Sequence, residues 1–403
     1  MDIKSGYPFW AIRNALSFPQ PPLERDLACD VAVIGGGITG ALIADELAAN
    51  GHAVAVLEKG DIGWGSTSAS TALLQYEIDT HMIDLAKQHG EDNAALAYLG
   101  CVESIDWLQA RAAELGDVGF RPCKSLYYAS KASHVRDMRK EHAARQRHGI
   151  EVEWWEAEQI QAEYGFQAPA AILSHQAAQV DPYLMAQALF RRLLGVGAAI
   201  HDHEEVARID ATSRKVTLTT VSGFQVHAGH VVLACGYENQ RWLKKQVARN
   251  RSSYAFVSDP LPVQTLANLE DSLIWESARP YLYLRTTPDH RLLIGGEDDA
   301  VDIPVRRDAR VQAKAKLLGK RVAQLFPDLP LNPAFAWAGT FAETPDGLPW
   351  FGAHEQWGPR VLFAMAYGGN GITYSAIGAQ LLRATVERRK HKLATLFSFQ
   401  RKA

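Results

Sequence analysis

The chain has 403 residues, 47% of them hydrophobic and 22% charged, with a formal net charge of -3. This composition allows a large core split over two regions. No long run of one charge sign occurs, which argues against nucleic acid or an anionic membrane as partner.

The four cysteines, Cys29, Cys101, Cys123 and Cys235, form no CxxC pair, so neither a metal site nor a disulfide framework is expected. The first residues lack a basic region followed by an apolar run, and no apolar stretch reaches the roughly 18 residues of a membrane-spanning helix. The expectation is a cytoplasmic protein without a membrane span.

Residues 1–27 read as an N-terminal arm. Its "GYPFW" and "FPQPP" are expected to pack it on the surface by its aromatics, with no functional role. Val31 to Ile34 then form a short apolar strand. Gly35, Gly37 and Gly40 follow in G-x-G-x-x-G spacing, a helix runs from Ala41 to Asn50, and Ala53 to Leu57 make a second strand ending at Glu58. The first glycine makes the tight turn, the second admits a pyrophosphate, and the third lets helix and sheet pack closely. Unpaired N–H groups and a partial positive charge at the helix start favour phosphate. Glu58 is placed to accept ribose hydroxyls. The bland alternative is a tight turn that binds nothing.

This motif serves both FAD and NAD. The stretch "GDIGWGSTSASTALLQYEID" that follows is rich in Gly, Ser and Thr, with Ser66, Thr67 and Ser70 as donors for a long diphosphate cofactor. A solvated loop with local hydroxyl turns explains it equally well. Residues 86–165 read as helical. "EDNAALAYLGCVESIDWLQARAAELG" is amphipathic, and "ASHVRDMRKEHAARQRHG" reads as a charged, exposed helix ended by Gly149. After an alternating hairpin beginning at "EEVARI", the strand Val231 to Ala234 returns to the nucleotide sheet, with Gly236 just beyond.

Residues 250–330 contain the strands "SSYAFVSD", "RPYLYLRTT" and "RLLIGGED", the last two joined through "TPDHR". Tyr281, Tyr283 and Arg285 share one strand face. Arg285 reads either as a clamp for an anion or as the partner of a structural acid. Tyr254 and Gln75 are weaker candidates, and His81, His201 and His203 read as surface or internally satisfied. A second glycine cluster, Gly368 to Gly371 in "AYGGNGITYSAIGAQLL", opens a helix near Ile372.

Taken together, "DVAVIGGGITG" with Glu58, "GWGSTSAS", Val206 in "EEVARI", "VVLACG", "YLRTTPDHRLLIGGEDD", "AGTFAETPDGLPWFG" and "YGGNGIT" resemble the D-amino-acid oxidase/glycine oxidase/sarcosine oxidase superfamily over about residues 30 to 385. The resemblance implies an α/β fold. A discontinuous, Rossmann-type FAD domain of the glutathione-reductase kind would occupy 28–85, 170–245 and 335–403. A substrate domain with a mixed or antiparallel sheet and helices would take 86–169 and 246–334, roofing the flavin. It implies non-covalent FAD held by Gly35, Gly37, Ile38, Thr39, Gly40, Glu58, Lys59, Gly65, Ser66, Thr67, Ser70, Val206, Gly236, Gly369, Asn370, Gly371, Ile372 and Thr373, with the last helix aimed at the flavin N1–C2=O edge.

The implied activity is oxidation of the C–N bond of a small amine or amino acid by hydride transfer to flavin N5. The imine product hydrolyses, oxygen or another acceptor reoxidises the flavin, and Arg285, Tyr283 and Tyr254 attend the substrate. An NAD-linked dehydrogenase and a non-catalytic flavin-binding subunit are the competing readings.

Four departures from the family pattern stand out. Phe341 and Gly369 occupy the positions of two carboxylate-binding arginines. Gly339 stands where sarcosine oxidases attach flavin to a cysteine, and Leu293 where they carry an oxygen-assisting lysine. Either Arg285 takes over the carboxylate, or the substrate is an amine without an α-carboxylate.

Overall fold

The computed structural model describes residues 3–6, 8–15, 18–365 and 367–401. Tyr7 of "GYPFW" and Ala366 of "AYGGNGITYSAIGAQLL" lie outside the described residues. Among the described residues, strands form two sheets, and no helix is long and apolar enough to cross a membrane.

The smaller sheet grows from the apolar runs that lack alternation. Leu27–Ile34, Val54–Leu57, Ala199–His201, Gln225–Leu233 and Val361–Met365 pair in parallel, and Val31, Val33, Val56 and Leu233 are fully buried. Near-continuous Val/Ile/Leu strands with both faces covered are the signature of a parallel sheet. The helices Ile38–Ala49 and Gly371–Val386 pack on each other against it, and a hydroxyl pair, Thr39 and Ser375 at 2.8 Å, joins them. The hairpin Val206–Ala211 and Val216–Thr220 extends from Gln225–Leu233 as expected.

The larger sheet follows the order Lys4–Ser5, Pro333–Glu343, Arg249–Ser258, Leu292–Asp299, Leu282–Thr286, Ser272–Glu276, Arg121–Tyr128, Ala170–Gln179, Leu73–Gln75. Three of its strands, Leu73–Gln75, Ala170–Gln179 and nearly all of Pro333–Glu343, fall in segments expected to belong to the FAD domain. Their pairing partners place them in this sheet instead. The 22-residue helix Pro304–Leu325 covers one face of it, burying Val311, Leu318 and Val322.

Two expectations change. The arm is not a surface strap. Lys4 pairs with Gly339 in the larger sheet, Trp10 is wholly buried, and its indole donates to Ser70 O at 2.8 Å. The helix Val135–Arg147 is charged but not simply exposed, because Glu141 and Arg145, one turn apart, point into the core. Arg145 Nε donates to Glu141 Oε1 at 2.9 Å, and the same carboxylate accepts the N–H groups of Met82 and Ile83.

Candidate active site

The turn after Leu27–Ile34 forms the first wall of a cavity of about 530 Å³. Gly35 sits at φ +121°, and a Cβ there would meet Ala234 O at 2.4 Å. On Gly40 a Cβ would lie 1.9 Å from Gly35 O, so strand and helix touch backbone to backbone. Gly37 is different. Its backbone is extended, and Thr67 Oγ1, 3.0 Å away, is all that an added Cβ would meet within contact distance. Gly37 and Ile38 line the cavity, and the helix they open has no side-chain cap. Ile38 N–H donates to Thr67 Oγ1 at 2.9 Å, and the helix start turns its partial positive charge toward that space.

Glu58 closes the same end. One carboxylate oxygen accepts Gly36 N at 2.6 Å and the other Gly60 N at 2.8 Å. Burial raises its pKa while these two bonds oppose the rise. Ser66 Oγ is buried in the wall with no hydrogen-bond partner. An open cradle at Gly37, an uncapped helix start, a fixed carboxylate and an orphaned hydroxyl fit the diphosphate and ribose of FAD.

Of the remaining residues assigned to FAD, Gly35, Thr39, Lys59, Gly65, Thr67, Ser70, Val206, Gly236 and Gly369 to Ile372 also line the cavity. Lys59 is held by Glu238, with its Nζ 2.6 Å from Oε2. Gly40 and Thr373 do not reach the cavity wall. Gly40 packs on Gly35, and Thr373 Oγ1 donates to Gln75 O at 3.1 Å. The second glycine cluster bounds the cavity where Gly371–Val386 begins without a side-chain cap. One of its N–H groups, that of Gly369, is taken by Asp79 at 3.0 Å.

The cavity continues under the larger sheet. Strand alternation presents Trp337, Gly339, Phe341 and Glu343 to it, joined by Ser253, Trp275, Tyr281, Tyr283 and Asp298. Tyr283 is seated by glycine: a Cβ on its cross-strand neighbour Gly295 would lie 2.4 Å from the ring. Its hydroxyl reaches to 3.5 Å from Ser253, and burial lifts its pKa to about 12.

Two sequence candidates leave the site. Arg285 is fully buried and absent from the cavity wall. Its guanidinium donates to Thr71 O, Gln179 Oε1, Thr286 O and Val180 O at 2.7–3.2 Å, and burial lowers its pKa to about 10. Four of its five N–H donors are spent on the strand crossing, and it lies off the wall, away from any substrate carboxylate. Tyr254 borders the cavity through its strand, but its side chain lies on the other face of the sheet, where Oη donates to Asp299 at 2.7 Å.

The histidines are internally satisfied, His81 against Tyr127 Oη at 2.9 Å, His201 against Pro21 O and His203 against Asp61. Gln75 does line the cavity.

A buried network holds the floor. Ser125 Oγ donates to Glu77 Oε1 at 2.8 Å and accepts the Trp275 indole at 3.1 Å, and Arg145 lies 3.8 Å from Glu77. Tyr127 stacks on Trp275 at 3.9 Å. Asn370 reaches back to Glu77 O at 2.6 Å, tying the last helix to the floor.

A phosphate cradle that opens into an aromatic chamber beneath a second sheet defines a dinucleotide-dependent oxidoreductase. The family model "FAD dependent oxidoreductase" (DAO) matches residues 30–385, and the chain belongs to that family. The protein is therefore an FAD-dependent enzyme, which closes the choice between FAD and NAD and removes the non-catalytic reading.

The chain is 30% identical over 373 residues to a glycine oxidase of Geobacillus kaustophilus, covering 90% of this chain and 93% of that protein. It is 25% identical to the gamma-glutamylputrescine oxidoreductase of Escherichia coli, covering 92% and 87%. The crystal structure of the G. kaustophilus glycine oxidase aligns with a TM-score of 0.78 at 25% identity, over 94% of this chain and 100% of that one.

Proposed function

We propose that this enzyme oxidises the C–N bond of a small amine that carries no α-carboxylate, with FAD held non-covalently. The observation that supports this reading is one continuous cavity running from Gly37 and Glu58 to Tyr283 and Asp298. It joins a cofactor cradle to a chamber whose wall offers no arginine for a carboxylate: Arg241, in the wall near the cradle, pairs with Glu205, and Arg285 is spent elsewhere. When bound, FAD supplies the acceptor for the hydrogen and electron pair lost from the carbon next to nitrogen, and the imine formed hydrolyses to a carbonyl compound and ammonia or a shorter amine.

The chain's own part is to position and enclose. Trp275, Tyr281, Tyr283 and Phe341 provide apolar walls that exclude water and hold the amine neutral at its reacting nitrogen. The start of Gly371–Val386 bounds the cavity and would offer a partial positive charge to a flavin held there. Cys235, a cysteine in the wall, donates to Ile34 O, and burial lifts its pKa to about 12, so it supplies no thiolate for covalent attachment. Leu293 is buried with Trp10 and Trp337, off the wall, and the reoxidant is assigned only as oxygen or another acceptor. All four cysteines are free, which suits the cytoplasm this reading assigns.

The test is product analysis. Holoenzyme turning over small amines in air, or with an artificial acceptor, is expected to release a carbonyl compound trapped as its hydrazone. FAD-loaded enzyme that yields none across amines and N-alkyl amines would refute the reading.

A further inference from the structure

The roof strand Leu292–Asp299 carries a bulge. Tyr254 pairs with Gly296 but Ser252 with Asp299, so Ser253 faces both Glu297 and Asp298. Gly296 at φ +132° and Glu297 at φ +56° turn the strand there. The result is a carboxylate at the cavity wall: Asp298 lines it and accepts a hydrogen bond from Ser253, while its Oδ1 is shut off from solvent. No ion pair neutralises Asp298 among the described residues, so the acid leaves negative charge at the chamber wall.

Asp79 faces the same chamber. It accepts the Tyr281 hydroxyl at 3.2 Å and the Gly369 N–H at 3.0 Å and forms no ion pair among the described residues; the cation beside it, Arg279, donates to Asp79 O at 2.7 Å and lies 4.2 Å over the Tyr281 ring. A Cβ on Gly369 would lie 3.2 Å from Asp79 Oδ2. The position that the family resemblance gives to an arginine is thus empty of side chain and faced by an acid. Of the other acids of the chamber, Glu343 pairs with Arg251 and Glu77 lies 3.8 Å from Arg145. The basic residues of the wall are engaged elsewhere: Lys59 with Glu238, Arg241 with Glu205, and Lys4 over the Trp64 ring at 3.7 Å. Asp79 and Tyr281 also bound an outer pocket of about 540 Å³, so this end of the chamber adjoins a second opening.

We propose that Asp298 and Asp79, walled by Trp275, Tyr281 and Tyr283, recognise a second, protonated nitrogen on the substrate. The substrate class is then a diamine or longer polyamine. Carboxylates supply charge-assisted acceptors, and aromatic faces attract an alkylammonium. An α-amino acid would bring its carboxylate against the same two acids and be repelled. The inference rests on the reading of this cavity as an amine site, and it reverses the sign of the pocket expected from the family.

The experiment titrates FAD-loaded enzyme anaerobically with 1,4-diaminobutane, n-butylamine and glycine, following both perturbation of the flavin spectrum and its reduction. The diamine is expected to bind at least about ten-fold more tightly than butylamine, with glycine weakest. Asp298→Asn is expected to shrink the diamine-to-butylamine preference about ten-fold with FAD still bound, and Asp79→Asn serves as the second variant.

Equal affinity for diamine and monoamine, or preference for glycine, overturns the recognition whatever the flavin does. Tight diamine binding without reduction by any amine supports the recognition and instead overturns the oxidation reading.

Discussion

Gly37→Val separates cofactor binding from folding. The substitution asks little of the protein itself, because the extended backbone at Gly37 suits any residue and Thr67 Oγ1 at 3.0 Å needs to yield only a few tenths of an ångström. The apoprotein should lose no more than about 1 kcal/mol. The valine methyls would instead fill the space before the uncapped helix where the pyrophosphate must approach. A 100-fold or greater loss of FAD affinity is expected, equivalent to at least about 2.7 kcal/mol.

Gly40→Ala is the control, since its Cβ would sit 1.9 Å from Gly35 O and must break the strand–helix contact itself. Purified variants are compared by FAD content per chain, by far-UV circular dichroism and by thermal unfolding of the apoproteins. Gly37→Val should be folded and colourless, and Gly40→Ala poorly folded. A Gly37→Val protein that retains one FAD per chain would refute the placement of the diphosphate.

Three other predictions follow from the buried groups. Arg145→Met should destabilise the protein by about 3–5 kcal/mol, because Glu141 and Glu77 lose their buried cation; an unchanged melting temperature contradicts this, and Arg145→Met with Glu141→Gln should recover part of the loss.

Asp298 has its pKa raised to about 6, first by burial and then by Asp79 and Glu343, against a hydrogen bond from Ser253 and the charge of Lys314. A raised acid costs stability above that pH and none below the unfolded value, here amounting to about 3 kcal/mol. Asp298→Asn should therefore raise the melting temperature at pH 8 and lose that gain by pH 4; a gain independent of pH counts against it. Gly295→Val should displace the Tyr283 ring, raising KM for the amine several-fold with FAD retained, and unaltered kinetics would show that Tyr283 does not shape the substrate site.

The FAD cradle was legible because its chemistry is local. Gly35, Gly37, Gly40 and Glu58 lie within 24 residues and carry strand, turn and helix signals of their own. The parallel sheet was legible for the same reason, through unbroken apolar strands. What alternation alone cannot give is where a face ends. Tyr283 and Arg285 share a face, but the guanidinium lies beneath Thr71 and Val180, outside the chamber.

Asp79 and Asp298 were missed because nothing near them in sequence marks a site. The doubled glycine of "LLIGGEDD" was the available sign, for one glycine seats Tyr283 and the other opens the bulge that puts Asp298 at the cavity wall. The buried pair in Val135–Arg147 was hidden by its charge: Glu141 and Arg145 satisfy each other, so a helix that reads as exposed turns two ions into the core. The arm was misjudged because burial of Trp10 depends on partners more than 50 residues away.

On the proposed reading, the chamber beside Asp79 and Asp298 presents an amine to FAD for oxidation. Anaerobic mixing of the holoenzyme with amines, D- and L-amino acids and N-alkyl glycines, read at the flavin absorption band, tests it most directly. Bleaching by amines that lack a carboxylate, fastest with a diamine, is the predicted result. A flavin that stays oxidised with every amine, or that bleaches only with α-amino acids, would contradict it.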